Sequence, residues 1–293
     1  MKKWLPKLVL LVSWVGIKVS RRSSMKGWLA GIMWFRPPRK APHECYVSLR
    51  ESAVSQTLSM GGYETMLRTW GELNSGPHIV LVHGWAGRWD QFATLIPHLV
   101  SQNCIVSAFD FPAHGEAKGM STDLLQWNAV LRGVQAYLRG TEPVFVCHSF
   151  GFVAIAKAVL AGEVSAKAII AINPATGFDF LLESFAKKLH LDVGVIPYLE
   201  RRVENRVPAV RSITDFELVA LVRKVAVLYF ADRNDREVPF ERHALASRLL
   251  GDNFIVSEGF GHNRALHNPE LHRTLSDFLP VASGWEMSTR WYT

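Results

Sequence analysis

Val144-Phe145-Val146-Cys147-His148-Ser149-Phe150-Gly151-Phe152-Val153-Ala154 decides how the rest of the chain is read. Its first half is an apolar run of β-branched and aromatic residues, the pattern of a buried strand. Its second half continues into Val153, Ile155, Ala156, Val159 and Leu160, which recur at helical spacing. Ser149 therefore falls on a strand-to-helix turn. Small neighbours suit such a turn, because strand and helix approach closely and the backbone at the serine is strained. The turn lifts the hydroxyl above the sheet and leaves the first amides of the helix free to face a negative charge.

In this setting Cys147-His148-Ser149-Phe150-Gly151 resembles the nucleophile elbow of the α/β-hydrolase family, with Cys147 in place of the usual first glycine. The resemblance implies an α/β fold, with a mostly parallel central sheet flanked by helices and a short lid inserted after the sixth strand. It runs over about residues 55–280, and the other motifs follow in the family's order. Ile79-Val80-Leu81-Val82 reads as a strand ending in His83-Gly84-Trp85. In the family, the loop after this strand donates an oxyanion-hole amide. The implied donors here are the backbone N–H groups of Trp85 and Phe150, with His83, Gly84 and Gly151 in support. Asp110-Phe111-Pro112-Ala113-His114-Gly115 resembles a scaffold turn of the family, which makes Asp110 and His114 structural.

Val225–Phe230 is a further strand, followed by a loop holding Asp232, Asp235 and Glu237 before Val238-Pro239. The family's acid stands four residues before such a Val-Pro proline, so Asp235 is preferred over Asp232 and Glu237. Gly259-Phe260-Gly261-His262 follows the last strand, Phe254-Ile255-Val256, and resembles the loop that carries the catalytic histidine. The implied catalytic set is thus Ser149, Asp235 and His262. Serine needs an imidazole to take its proton, and the imidazole needs a carboxylate to fix its tautomer. The implied activity is hydrolysis of carboxylic esters or thioesters of a small-molecule acyl substrate through an acyl-enzyme. Carbon–carbon bond hydrolysis, lactone opening, acyl transfer and a non-catalytic membrane-associated binding role stay open beside it. A serine at the elbow argues against the aspartate-nucleophile chemistry of dehalogenases and epoxide hydrolases.

Composition narrows the setting. The 293 residues, 48% of them hydrophobic, suffice for one large α/β core with an insertion. Three cysteines (Cys45, Cys104, Cys147) make no disulfide framework and point to a reducing, cytoplasmic compartment. No metal-ligand cluster or dinucleotide fingerprint is present, so no metal and no cofactor are implied. The formal charge of +7 is local. Ten of the 33 basic residues lie in residues 1–43 with no acid, leaving 23 against all 26 acids in 44–293, a net −3 there. That charge argues against nucleic acid as the substrate of the body.

Residues 1–43 read as a basic, apolar arm and 44–293 as the hydrolase domain. The arm has an uninterrupted apolar run, Leu8–Ile17, and a second apolar patch at Trp28, Leu29, Ile32, Met33, Trp34 and Phe35. Three readings stand for residues 1–35: peripheral contact with an anionic membrane, packing on the chain's own domain or a partner subunit, or a signal or anchor. Residues 36–54 read as a linker, and 55–70 as a hairpin around Gly61-Gly62. Residues 176–222 are the lid candidate, rich in Phe and Leu with Lys187, Lys188, Arg201, Arg202, Arg206 and Arg211. Their aromatics suit an apolar acyl or aryl pocket or packing of the lid on the core, and their arginines suit an acidic group. Oligomeric state is not readable.

Overall fold

The computed structural model describes residues 5–60, 62–72, 76–208, 210 and 215–283. Gly61, Arg211 and the aromatic tail 284–293 lie outside the described residues. An eight-stranded sheet runs in the order β1-β2-β4-β3-β5-β6-β7-β8. The hairpin β1 (Val54–Met60) and β2 (Tyr63–Trp70) is antiparallel, and β2 is antiparallel to β4 (Ile105–Ala108). From β4 onward, β3 (His78–Val82), β5 (Val144–His148), β6 (Ala168–Ile172), β7 (Ala226–Asp232) and β8 (Phe254–Ser257) are all parallel.

Why these runs form strands follows from burial. Side chains alternate across a strand, and a parallel sheet is covered on both faces, so both sets must be apolar. One face gathers Val80, Val82, Phe145, Cys147, Ile169, Ala171, Val227 and Tyr229. The helices α5 (Leu124–Tyr137), α6 (Phe150–Leu160) and α10 (Ala244–Leu250) add Trp127, Ile155 and Ala246 to that cluster. The other face gathers Ile79, Leu81, Val106, Val146, Ile170, Leu228 and Phe230 under α4 (Leu95–Ser101) and α12 (Pro269–Ser283). The chain from Trp89 makes a 3₁₀ turn, Trp89–Phe92, followed by α4. The Trp89 amide donates to Asp110 Oδ1 at 2.7 Å, which holds the turn on the neighbouring loop.

The sheet order fixes where a site can form. The chain leaves β3 toward β4 on one side and returns to β5 on the other. Between β3 and β5 the order reverses, and ligands of open α/β sheets bind at the carboxyl ends there. Val82 pairs with Cys147, so the loop after Val82 and the turn after His148 meet at that point.

Between β6 and β7 the chain makes α7 (Phe178–Lys188), α8 (Ile196–Arg206) and α9 (Asp215–Val222). The arm folds as α1 (Leu5–Val19) and α2 (Ser23–Trp34). Small residues let α2 lie close on α8: a Cβ on Gly27 would sit 2.4 Å from Tyr198 Cβ, and one on Gly31 would sit 2.3 Å from Arg202 Cγ. Trp34 packs edge-on against Phe178 and Phe185 of α7. The segment read as a linker is laced down. Thr122 N–H donates to the Phe35 carbonyl at 2.8 Å, Arg39 to Gly119 O at 2.8 Å, and Trp70 Nε1 to Leu49 O at 2.8 Å. Leu49 belongs to α3 (Val47–Glu51), a short helix the Pro-rich composition did not announce. The remaining short helix, α11 (Gly261–Arg264), carries His262.

Candidate active site

Ser149 sits between β5 and α6 at φ 51°, ψ −123°. That left-handed conformation is costly for any residue with a Cβ and marks a site where the surroundings over-determine the backbone. Two glycines make it fit. A Cβ on Gly151 would sit 2.6 Å from Val82 O and 2.7 Å from His83 O, and one on Gly84 would sit 2.8 Å from Ser149 Cβ. Cys147 needs no glycine in its place, because it is still an extended residue of β5, fully buried in register with Val82 and Ala171.

The Ser149 hydroxyl lies 3.0 Å from His262 Nε2, and His262 Nδ1 lies 2.7 Å from Asp235 Oδ2. With Asp235 accepting at Nδ1–H, Nε2 is left as an acceptor aimed at the serine. Asp235 Oδ1 accepts from the Glu237 and Val238 amides at 2.7 and 2.9 Å, which fixes the carboxylate with Oδ2 facing the histidine. The His262 and Asp235 side chains are 8% and 0% exposed, which strengthens their interaction by excluding water. Asp232 and Glu237 are elsewhere. Asp232 is buried, and burial alone would raise its carboxyl. Hydrogen bonds from the Gly261 amide, the Ser257 hydroxyl and the Asn234 and Phe260 amides outweigh that and hold it below the usual range. It fastens the histidine loop. Glu237 faces outward to Lys188 and Asn263.

Sequence reading missed two further fasteners. Asn173, at φ 42° after β6, donates its amide to Gly261 O at 3.0 Å and to His262 O at 3.1 Å, and accepts from the Asp232 amide at 2.8 Å. His148 lies 2.9 Å through Nε2 from the same His262 carbonyl, and its ring packs on the His262 ring. Asn-Pro after a buried strand was the available signal for Asn173; nothing in the pattern marked His148.

The loop after β3 is held by two neutral histidines. His83 Nδ1–H donates to Gly84 O at 2.8 Å, while Nε2 accepts the Phe111 amide at 3.0 Å. His114 Nδ1–H donates to Pro112 O at 3.0 Å, while Nε2 accepts the Ala86 amide at 3.1 Å. Ala86 is thus committed, and Trp85 is the residue between it and the serine-facing Gly84. Phe150 opens α6, where the first amides have no partner within the helix and the helix dipole is positive. Trp127 underlies the whole corner: it stacks on Phe111 at 3.8 Å and meets the rings of His83, Trp85, His114 and Phe150.

Burial pushes the imidazoles of His83, His114 and His148 down, and those of His78 and His243 to about 4. Unfolded histidine titrates near ~6.5, so below that pH the unfolded chain takes up protons the folded one refuses. Stability is then full above about pH 6.5 and falls as the pH drops toward 4. Thermal melts at steps from pH 7.5 to 4.5 should show Tm falling throughout this window; a flat Tm would mean the histidines are not buried neutral.

Two hollows adjoin the site. An open depression of about 800 Å³ lies behind the histidine, lined by Arg233, Asp235, Arg236, Glu237 and the 259–264 loop. An apolar pocket of only about 30 Å³ adjoins Trp85 and Phe150 and is walled by Phe178, Leu181 and Val203 of the β6–β7 insertion and by Trp34 and Phe35 of the arm. It is the smaller, but it touches Phe150, which follows the serine, and Trp85, which follows the serine-facing Gly84. At its rim Arg206 pairs with Asp123 at 2.8 Å over the Phe35 ring, so the insertion's arginine meets an acid of this chain.

The Alpha/beta hydrolase family matches residues 79–271. No curated protein sequence matches the chain. Among solved structures, the Pyrococcus furiosus esterase Pf2001 is similar at a TM-score of 0.62 and 17% identity, covering 85% of this chain and 97% of the esterase. The thioesterase domain of the curacin biosynthetic pathway is similar at 0.55 and 13%, covering 78% and 99%. An epoxide hydrolase from Vigna radiata gives 0.55 and 13%, covering 79% and 99%. At these identities the likeness is one of fold.

Proposed function

The chain belongs to the Alpha/beta hydrolase family, and within it we propose a serine hydrolase that cleaves carboxylic esters or thioesters through an acyl-enzyme. The observation that supports this reading is the hydrogen-bonded run Ser149–His262–Asp235 at a strained strand-to-helix turn. In the proposed cycle Ser149 Oγ attacks the acyl carbon as His262 Nε2 takes its proton. Asp235 holds the tautomer and stabilises the imidazolium. The carbonyl oxygen becomes an oxyanion between the amides of Trp85 and Phe150, where one donor is worth roughly 3 kcal/mol. Collapse expels the alcohol or thiol, which leaves with the proton from His262. Water then repeats the sequence on the acyl-serine and releases the acid.

In this reading the insertion α7–α9 acts as the lid, and the apolar pocket receives the acyl group. At about 30 Å³ the pocket has room for a water molecule or two. An acyl chain needs the lid to yield. Hydrolysis of p-nitrophenyl esters from acetate to laurate, wild type beside Ser149→Ala, tests the proposal. The expected result is serine-dependent turnover with fluorophosphonate labelling of Ser149. Trp34→Ala, which widens the pocket, should move the optimum toward longer chains by severalfold in kcat/KM. No turnover and no labelling would overturn the hydrolase reading; an unmoved optimum would remove the pocket from it.

A further inference from the structure

We propose that the outer face of α1 docks on an anionic lipid bilayer, so that the enzyme takes its acyl substrate from that surface. Leu8, Leu11, Val12, Val15 and Val19 follow one another at helical spacing, and each is 43–72% exposed. The opposite side of α1, at Ser13 and Ile17, is buried, and Gly16 sits tight against Leu29 of α2. The apolar stripe thus points away from the protein, the reverse of the usual order for a surface helix. Trp14, Met25 and Trp28 are exposed beside it.

Charge selects the occupant. Lys7, Lys18, Arg21 and Arg22 are exposed around the stripe, and residues 1–43 contain no acid. Apolar residues flanked by Lys and Arg, with tryptophan at the margins, suit a helix lying in the interface of an anionic bilayer. A second copy would bring the same positive arm against itself. Among the described residues no helix is long and apolar enough to cross a membrane, and the 15 residues of α1 rise only about 22 Å, which suits a helix lying on the surface.

The docking helix is coupled to the site. α1 packs on α2, α2 packs on α8 of the insertion, and Trp34 and Phe35 at the end of α2 wall the apolar pocket. Seating α1 therefore brings the pocket's own wall to the lipid surface. The claim about substrate rests on the ester-hydrolase reading; the docking does not.

The test uses the full-length chain and a Leu11→Glu/Val15→Glu double variant, both positions being exposed and remote from Ser149. Wild type should sediment with vesicles of 70:30 phosphatidylcholine and phosphatidylglycerol, far less with pure phosphatidylcholine, and should be released by 0.5 M salt. The double variant should bind at least tenfold more weakly, with unchanged turnover of soluble p-nitrophenyl butyrate. It should also lose at least tenfold on a fluorogenic acylglycerol ester embedded in the anionic vesicles. Equal sedimentation of both proteins, or wild-type binding indifferent to lipid charge, would overturn the docking. So would light scattering that shows a wild-type dimer split by the double substitution, since the stripe would then be a protein interface. Anionic-selective binding without turnover of any ester would leave the docking standing and remove the ester reading.

Discussion

Ser149→Ala is expected to lower kcat by roughly 10⁵- to 10⁶-fold and to abolish fluorophosphonate labelling, with a Tm within a degree or two of wild type. Removing the nucleophile from a set that acts as a unit costs nearly all the catalysis the set provides. The fold should not register the change, because alanine keeps the Cβ and the backbone stays at φ 51°. Ser149→Gly separates the two roles of the position. It also removes the hydroxyl, but glycine accepts a positive φ without the Cβ clash. The strain at such a residue is of order 1–3 kcal/mol. The glycine variant should therefore be as inactive as the alanine variant yet more stable, with Tm raised by about 2–4 °C in thermal melts. An equally inactive glycine variant with lowered Tm would mean that the turn is held by contacts of the side chain rather than imposed against strain. Retained activity in either variant would mean that Ser149 is not the nucleophile.

This strain also explains what the sequence could disclose. Strands β3, β5, β6 and β7 are buried on both faces, so between the polar ends His78, His148 and Asp232 their residues are apolar, and the runs are visible without a structure. Ser149 and Gly151 were legible because the steric demands of the turn restrict which residues fit around the serine. Gly84 was legible for the same reason, pressed as it is against Ser149. Asn173 and His148 were not. Both bond the His262 carbonyl across more than eighty residues of chain, and Asn173 also holds Gly261 O and the Asp232 amide; no local periodicity records pairings of that range. The arm shows the same limit. Its composition left membrane contact, packing on the chain's own domain or a partner, and a signal or anchor as rival readings of residues 1–35, and no local pattern told which face of which helix would meet the protein. α2 spends its small residues on α8, and α1 turns its apolar stripe outward.

Asp235→Asn should reduce kcat by about 10⁴-fold while leaving Tm nearly unchanged. Asparagine retains an oxygen for the Glu237 and Val238 amides that Asp235 Oδ1 now accepts, so the loop stays in place. Its other terminus becomes an NH₂ group facing His262 Nδ1. The imidazole then places its proton on Nε2, toward Ser149, and can no longer take the serine's proton; a wrong tautomer of this kind costs about 10⁴ in a comparable site. Asp232→Asn should behave in the opposite sense. Asp232 accepts from Gly261, Phe260, Asn234 and Ser257 while fully buried. Asparagine there aims a donor at donors and removes the charge that made the bonds strong, a loss of about 2–4 kcal/mol. The carboxylate sits below its usual range, so its contribution is present at neutral pH and lost only as the pH falls through that lowered value. The Asp232→Asn variant should therefore melt several degrees lower at pH 7, with the difference from wild type shrinking in acid, while the folded fraction keeps its turnover within about tenfold. Kinetics at 15 °C beside melts at pH 7 and at steps below about pH 3.5, beneath the ordinary carboxylate value, would read both quantities. If Asp232→Asn loses 10⁴ in kcat without losing Tm, and Asp235→Asn does not, the two carboxylates have exchanged roles. His262 would then have to turn from the acid it faces at 2.7 Å toward one that binds only its loop.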